Sequence, residues 1–255
     1  VVDDLTDIAV NAGEQTLDDT FIVFDIETTG FSSVRDRIIE IGAVKVENGE
    51  ITEKFSTFVN PQRPIPFEIT NLTSITDEMV MEYPPIETIL PQFLDFVGDG
   101  VLVAHNAGFD VGFIEQNCRN QGIEPRFTYV DTVAMARILL PTLSKYKLNV
   151  VAKALGISLE NHHRAVDDAG ATAEIFVKFV QMLKEDNVTT LKQLNHFGDR
   201  NVNAIRKMAT HHIIILAKND IGRFNLYQLI TESHLTYYAW RPRIPKSLLN
   251  EHREG

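Results

Sequence analysis

Asp25 and Glu27 stand two residues apart at the end of an apolar run, Phe21–Ile26. In an extended strand that spacing turns both carboxylates to one face. Two such charges about 4 Å apart repel by roughly 4 kcal/mol at an effective dielectric near 20, and a divalent cation would remove the repulsion. Taken alone, the pair is also compatible with one acid in solvent or one capping the turn that Thr28-Thr29-Gly30 begins. A second acidic position, Asp110, closes the segment His105-Asn106-Ala107-Gly108-Phe109-Asp110, directly after the short apolar run Val101–Ala104. That placement puts it at a sheet edge, where ligand sites gather. Asp110 reads either as a ligand or as the N-cap of the helix that follows.

A third acid is selected by periodicity. On a 3.6-residue wheel, Ala165, Ala169, Thr172, Ala173, Phe176, Val180 and Leu183 form one apolar arc, with Ile175 and Phe179 on its shoulder. Asp168 falls inside that shoulder, whereas Asp167 falls opposite, with Glu174, Lys178 and Glu185. A carboxylate aimed at an apolar interface is costly unless it is paired or binds metal, and this helix face supplies no lysine or arginine. His163 lies five residues ahead of Asp168, in an irregular stretch able to lean over the same place. It reads either as a site residue or as a partly exposed loop histidine.

The elements that must hold these residues can be traced along the chain. Val1 to Asp19 is polar and acidic, with little periodicity. A strand at Phe21–Ile26 is followed by two alternating runs, Ile38–Val46 and Ile51–Val59, joined through Glu47-Asn48-Gly49-Glu50. Asn-Gly is the favoured centre of a two-residue hairpin. Helices are expected after Thr76-Asp77, over Pro85–Val97 with a bend at Pro91, and over about Asp110–Gln121, ending at Gly122. A strand at Phe127–Val130 precedes a helix capped by Asp131, then helices at Leu148–Leu155 and Arg164–Lys184. Three antiparallel strands and two buried ones between helices give an α/β fold with a mixed five-stranded sheet flanked by helices. From about Asn187 the character changes: His211–Leu216 reads as a buried strand, Asn225–Thr231 as a short helix, and Arg241–Lys246 as a basic, extended tail. The expected division is a leading segment over 1–19, a catalytic domain over 20–186 and a trailing segment over 187–255.

The three acidic segments together resemble the DEDDh family of exonucleases, which share the ribonuclease-H-like fold. The motifs are Phe24-Asp25-Ile26-Glu27-Thr28-Thr29-Gly30, His105-Asn106 through Phe109-Asp110, and His163-Arg164-Ala165-Val166-Asp167-Asp168-Ala169. Their order, separation and strand–strand–helix placement agree with the family over roughly residues 20 to 185. The resemblance implies that Asp25, Glu27, Asp110 and Asp168 bind two divalent cations, Mg²⁺ or Mn²⁺, and that His163 is the general base on the attacking water. It also implies that Ile26, Thr28, Gly30, Phe31, Thr70, His105, Asn106 and Phe109 position the last nucleotides of a 3′ end. Phe31 and Phe109 read equally as core residues.

The chain is similar, more narrowly, to the exonucleases inserted within the polymerase-and-histidinol-phosphatase (PHP) domain of PolC-type replicative polymerases. The segments Val2–Asp4 and Gln15–Asp19 resemble one side of that insertion, and His212–Asn219 with Arg241–Lys246 the other. This implies proofreading of DNA, with the rest of a replicative polymerase and its replisome as partners. An RNA-trimming exonuclease uses the same motif set, and a silent nucleic-acid-binding replisome module is the reading from another class. A PHP-type phosphatase is disfavoured because its histidine motifs are missing, so His211 and His212 receive no metal role.

Composition sets outer bounds. The net charge of −11, from 35 acidic and 24 basic residues, argues against a long duplex groove and is compatible with a small site where cations meet phosphate, or simply with a well-solvated acidic surface. One cysteine, Cys118, allows no internal disulfide. The sequence shows no membrane-spanning stretch and no signal-peptide pattern, so a reducing cytoplasmic setting is expected. The chain opens at Val1 rather than methionine, as a piece of a longer polypeptide would.

Overall fold

The computed structural model describes residues 1–2, 8–159, 164–199, 205–206 and 210–255. Three antiparallel strands, β2 (Phe21–Thr28), β3 (Ile38–Glu47) and β4 (Glu50–Phe58), form in sequence order. The β3–β4 hairpin closes on Asn48 and Gly49 with φ of 51° and 80°, the doubly positive backbone that makes Asn-Gly favourable there. The chain then passes through α1 (Phe67–Thr73), α2 (Asp77–Val80) and α3 (Ile86–Val97) to β5 (Val101–Ala104), parallel to β2. Helix α4 (Ala107–Asn120) leads to β6 (Tyr129–Asp131), parallel to β5. Asp131 caps α5 (Thr132–Leu139) by accepting from the Val133 amide at 2.8 Å. Helices α6 (Leu148–Ala154) and α7 (Ala165–Glu185) complete the expected series.

The sheet has six strands rather than the expected five. Strand β1 (Ala9–Val10) pairs antiparallel with β6, and the order is β1-β6-β5-β2-β3-β4. Two residues cannot display a period of two, which is why this strand leaves no trace in the sequence. It is secured by side-chain contacts: helix α8 (Leu191–Asp199) sends Asn195 to the amide and carbonyl of Ala9, both at 2.9 Å. Ile8, Leu17, Val188, Leu191 and Leu194 join the same buried core as α7.

The alternation along β2 divides the core. Phe21 and Val23 face α7, with Phe21 against Phe176 at 4.7 Å between ring centroids. Ile22, Phe24 and Ile26 face α3 and α4. Side chains two apart share a face, so Asp25 and Glu27 continue the α7 side.

Residues 211–216 form no strand, contrary to expectation: Ile214 and Leu216 are 88 % and 86 % exposed. An apolar run becomes a buried strand only beside a partner strand; among the described residues His211 exchanges backbone hydrogen bonds with Val1, and no strand pairs with the run beyond it. The expected short helix is longer, α9 (Asp220–Leu235), and leaves Ile221, Phe224, Tyr227 and Leu235 exposed. The basic tail is extended only to Pro245, after which α10 (Lys246–Glu251) begins. Val2 runs parallel to this tail, its amide donating to the Ile244 carbonyl at 2.9 Å and its carbonyl accepting from Lys246. No helix among the described residues is long and apolar enough to cross a membrane.

Candidate metal centre

The far end of β2 is the base of the site. Oxygen atoms of Asp25, Glu27 and Asp168 all lie within 4.8 Å of one another. Asp168 sits in the first turn of α7 and is 4 % exposed, while Asp167 is half-exposed, as the helix phase requires. A bulge in the β2–β3 register directly after Glu27 ends regular pairing, a feature that often re-aims a strand beside a site.

Asp110 reaches the centre from α4. It is not the N-cap: the helix begins three residues earlier, at Ala107, and Asn106 occupies the capping position with φ 74°. Asparagine tolerates that left-handed backbone better than most residues. Asp110 is 3 % exposed and accepts from the Ile26 amide at 3.3 Å, which joins α4 to β2. Asp25, Glu27, Asp110 and Asp168 line one cleft of about 220 Å³, with Ile26, His105, Asn106, Phe109 and Leu148 completing its walls.

Burial and mutual repulsion make Asp25, Glu27 and Asp110 hard to ionise. Asp25 is pushed well above the usual carboxylate range, first by burial and then by Asp110, Glu27, Asp168 and Glu40. Glu27 is pushed up to about 8 by burial and by Asp168, Glu40 and Asp110, with Arg164 opposing. Asp110 is pushed up to about 8 by burial, although the Ile26 amide pulls the other way. A set of hard oxygen donors that repel one another fits a hard divalent cation, which would let them ionise together.

A pH dependence follows for the metal-free protein. The folded values lie above the ordinary 4.5 of Glu27 and 3.8 of Asp110, so the folded state holds more protons than the unfolded chain. The stability contribution is fully present below the ordinary values and is lost as pH rises through about 8. Between about pH 5.5 and about pH 8.5 the loss should be at least about 3 kcal/mol, what one such group alone contributes, or roughly 6–12 °C in Tm for a chain of this size. Mn²⁺ should reverse it at the alkaline end. A metal-free Tm that stays flat or rises over this range in thermal melts would contradict the assignment.

The residues expected to meet a nucleotide are distributed unevenly. Phe31 is 87 % exposed, so it is no core residue, and its ring stands 6.4 Å from that of half-buried Phe109 at the cleft. The Thr28 hydroxyl donates to the Gly30 carbonyl at 2.6 Å and braces the turn after β2. Ile26 has a core side chain, leaving its backbone to face the cleft. His105 uses both ring nitrogens within the protein, toward the Thr132 hydroxyl at 2.9 Å and the Tyr146 carbonyl at 2.7 Å. Burial pushes its imidazole below the ordinary value. These two bonds tie the β5 end to the loop before α6. Thr70 lies on α1, outside the cleft lining. His163 lies outside the described residues.

Sequence reasoning missed three contributors. Leu148 forms a wall of the cleft. Asp131, read only as a cap, also accepts from the Asn106 amide at 3.0 Å and so fixes the turn leading to Asp110. Glu40, inside the apolar run of β3, is 1 % exposed and receives Arg164. A charged residue within a buried strand is itself a signal, since burial demands a partner.

Comparison with known proteins decides the family. The sequence profile of the RNase T exonuclease family matches residues 22–176, which span every acid of the cleft. The chain belongs to this exonuclease family. It is 55 % identical over 256 residues to the PolC-type DNA polymerase III of Clostridium perfringens, and 43 % identical over 257 residues to that of Staphylococcus epidermidis. Both matches cover 100 % of this chain, which spans only 18 % of the length of those relatives. Among solved structures, exonuclease X in complex with 5′-overhanging duplex DNA is 28 % identical, with a TM-score of 0.55 over 70 % of this chain and 99 % of that one. The nuclease domain of 3′hExo, a DEDDh family member bound to rAMP, shares the fold with a TM-score of 0.57, 20 % identity and coverage of 67 % and 94 %. These RNase-H-like exonucleases share the mixed sheet flanked by helices.

Proposed function

We propose that this exonuclease removes nucleoside 5′-monophosphates from the 3′ end of DNA, proofreading as part of a longer cytoplasmic replicative polymerase. The observation that carries the reading is the convergence of Asp25, Glu27 and Asp168 within 4.8 Å, beside buried Asp110, at the end of a strand in an exonuclease fold. The DNA assignment is supported by relatives named as DNA polymerases and by the likeness to an exonuclease bound to duplex DNA.

Two divalent cations, Mg²⁺ or Mn²⁺, held by the four carboxylates would supply Lewis acidity and charge neutralisation at the terminal phosphodiester. His163 takes the proton from the attacking water. The water oxygen bonds to phosphorus, the bond from phosphorus to the 3′ oxygen breaks, and that oxygen takes a proton from solvent to leave as the 3′ hydroxyl of the shortened strand. The small cleft admits the terminal nucleotide, with half-buried Phe109 in its wall and exposed Phe31 beside it offering rings to stack on a base. Ile26, His105 and Asn106 line the cleft, and with Thr28, Gly30 and Thr70 outside its lining they position the last nucleotides.

We place 1–19 and 187–255 as two sides of an insertion into another domain, the PHP domain by resemblance. The parallel pairing of Val2 with Pro245 and the exposed apolar surface of 211–240 support this. The test is digestion of matched DNA and RNA oligonucleotides with Mg²⁺ or Mn²⁺, using paired and mispaired 3′ termini. Mononucleotide release is expected from DNA, faster from mispaired ends. Degradation of RNA in preference to DNA would overturn the DNA assignment.

A further inference from the structure

Helix α7 meets the sheet at one point with unusual closeness. A Cβ on Gly42 would lie 2.1 Å from the Val166 amide nitrogen and 2.2 Å from the Ala165 carbonyl carbon, so only glycine lets the first turn of α7 rest on β3. Two residues along the same strand, Glu40 closes the contact. One of its oxygens receives Arg164 through Nη2 at 2.8 Å and Nε at 3.1 Å, and the other receives the Ala165 amide at 3.0 Å. The Arg164 guanidinium also lies over the Phe58 ring of β4, 5.1 Å from its centroid. The β2–β3 register places Gly42 opposite Asp25 and Glu40 opposite Glu27. Each acid of β2 therefore has, as its cross-strand neighbour, a residue that seats the helix bearing Asp168.

We infer that Glu40 and Arg164 are positioning residues for the metal centre: together with Gly42 they set the height of α7 over the sheet and hence the distance from Asp168 to Asp25 and Glu27. The inference rests on the metal-centre reading. An ordinary ion pair could join these elements anywhere along α7. This one is forked, nearly sealed from solvent on the Glu40 side, and made at the residue and the amide that begin the helix. It fixes translation as well as proximity. Asp168 follows one helical turn later, too near for the chain to absorb a shift. Arg164 is also the residue directly after His163 in the sequence.

The test uses the whole chain and Mn²⁺ alone as the probe, with binding followed by calorimetry. Glu40→Gln keeps the side-chain shape but loses the forked charge; Arg164→Lys keeps the charge and loses the fork. Glu40→Gln should weaken Mn²⁺ binding by about tenfold or more, as loss of outer-shell support does, and Arg164→Lys by less. The double variant should be no weaker than Glu40→Gln alone, because both changes break one contact. Mn²⁺ dependence of the rate should shift in parallel. Melting of the metal-free variants separates this from loss of fold, and Arg164→Lys keeps the test alive if Glu40→Gln does not fold. Wild-type Mn²⁺ affinity in folded variants would overturn the positioning role while leaving the metal centre standing. Failure of the wild type itself to bind Mn²⁺ would overturn both.

Discussion

Asp25→Asn is expected to stop mononucleotide release from a single-stranded 3′ end and, at the same time, to raise the Tm of the metal-free protein. The two effects share one cause. Asp25 is surrounded by Glu27, Asp110 and Asp168, and burial together with those neighbours holds its carboxyl well above the usual range. Without metal, the amide is neutral at every pH, so the fold no longer has to take up a proton to bury this position. With metal, the same change removes a ligand. Lewis-acid stabilisation is worth several kcal/mol in such reactions, so a loss of ~4 kcal/mol means a rate lower by about a thousandfold. EDTA should abolish activity in the unmodified protein. Asp167→Asn, one residue from Asp168 but half-exposed, should keep the rate within about twofold. Full activity in EDTA would end the metal mechanism, and a fall in metal-free Tm for Asp25→Asn would contradict the repulsion described above.

His163→Ala should separate chemistry from binding. A positioned general base contributes roughly 10²–10⁴-fold, so kcat should fall within that range while Mn²⁺ binding and DNA affinity stay near their original values. The pH profile should change as well. With the histidine as general base, the rate should fall on the acid side, because a base must be unprotonated to act. Without it that limb should vanish and the residual rate should climb with hydroxide. Unchanged turnover would remove His163 from its assigned role. The contrast with Asp25→Asn is diagnostic, because the proposed mechanism needs the acids for metal binding and the histidine only for proton transfer.

How much of this was legible in the residues depends on the range of the interactions involved. Helix phase alone separates Asp168 from Asp167, because the apolar arc of α7 is a local pattern that packing enforces. Asn48-Gly49 and the Asp131 cap are equally local, and both stand where expected. The position of Asp110 was legible but its alternative as a cap was not excluded, since only the left-handed backbone of Asn106 starts α4 at Ala107. Strand β1 depends on Asn195, 186 residues away, and Glu40 on Arg164, 124 residues away. Neither pairing leaves a periodic trace. The run His211–Leu216 misleads for the opposite reason: its composition suits a buried strand, but burial belongs to the partner surface and not to the run.

The pairing of Val2 with Ile244 and Lys246 has a consequence in polymer terms. Everything between these segments, the acidic cleft included, is a loop of chain whose two feet are already hydrogen-bonded together. The entropy of bringing the feet together grows only slowly with loop length, and here it is offset within the excursion's own fold. A host polypeptide running through both feet would need to open no wider than two neighbouring strands to carry it. Swapping, lengthening or deleting the excursion would then alter the host at a single seam, which is the geometry that makes a catalytic module portable.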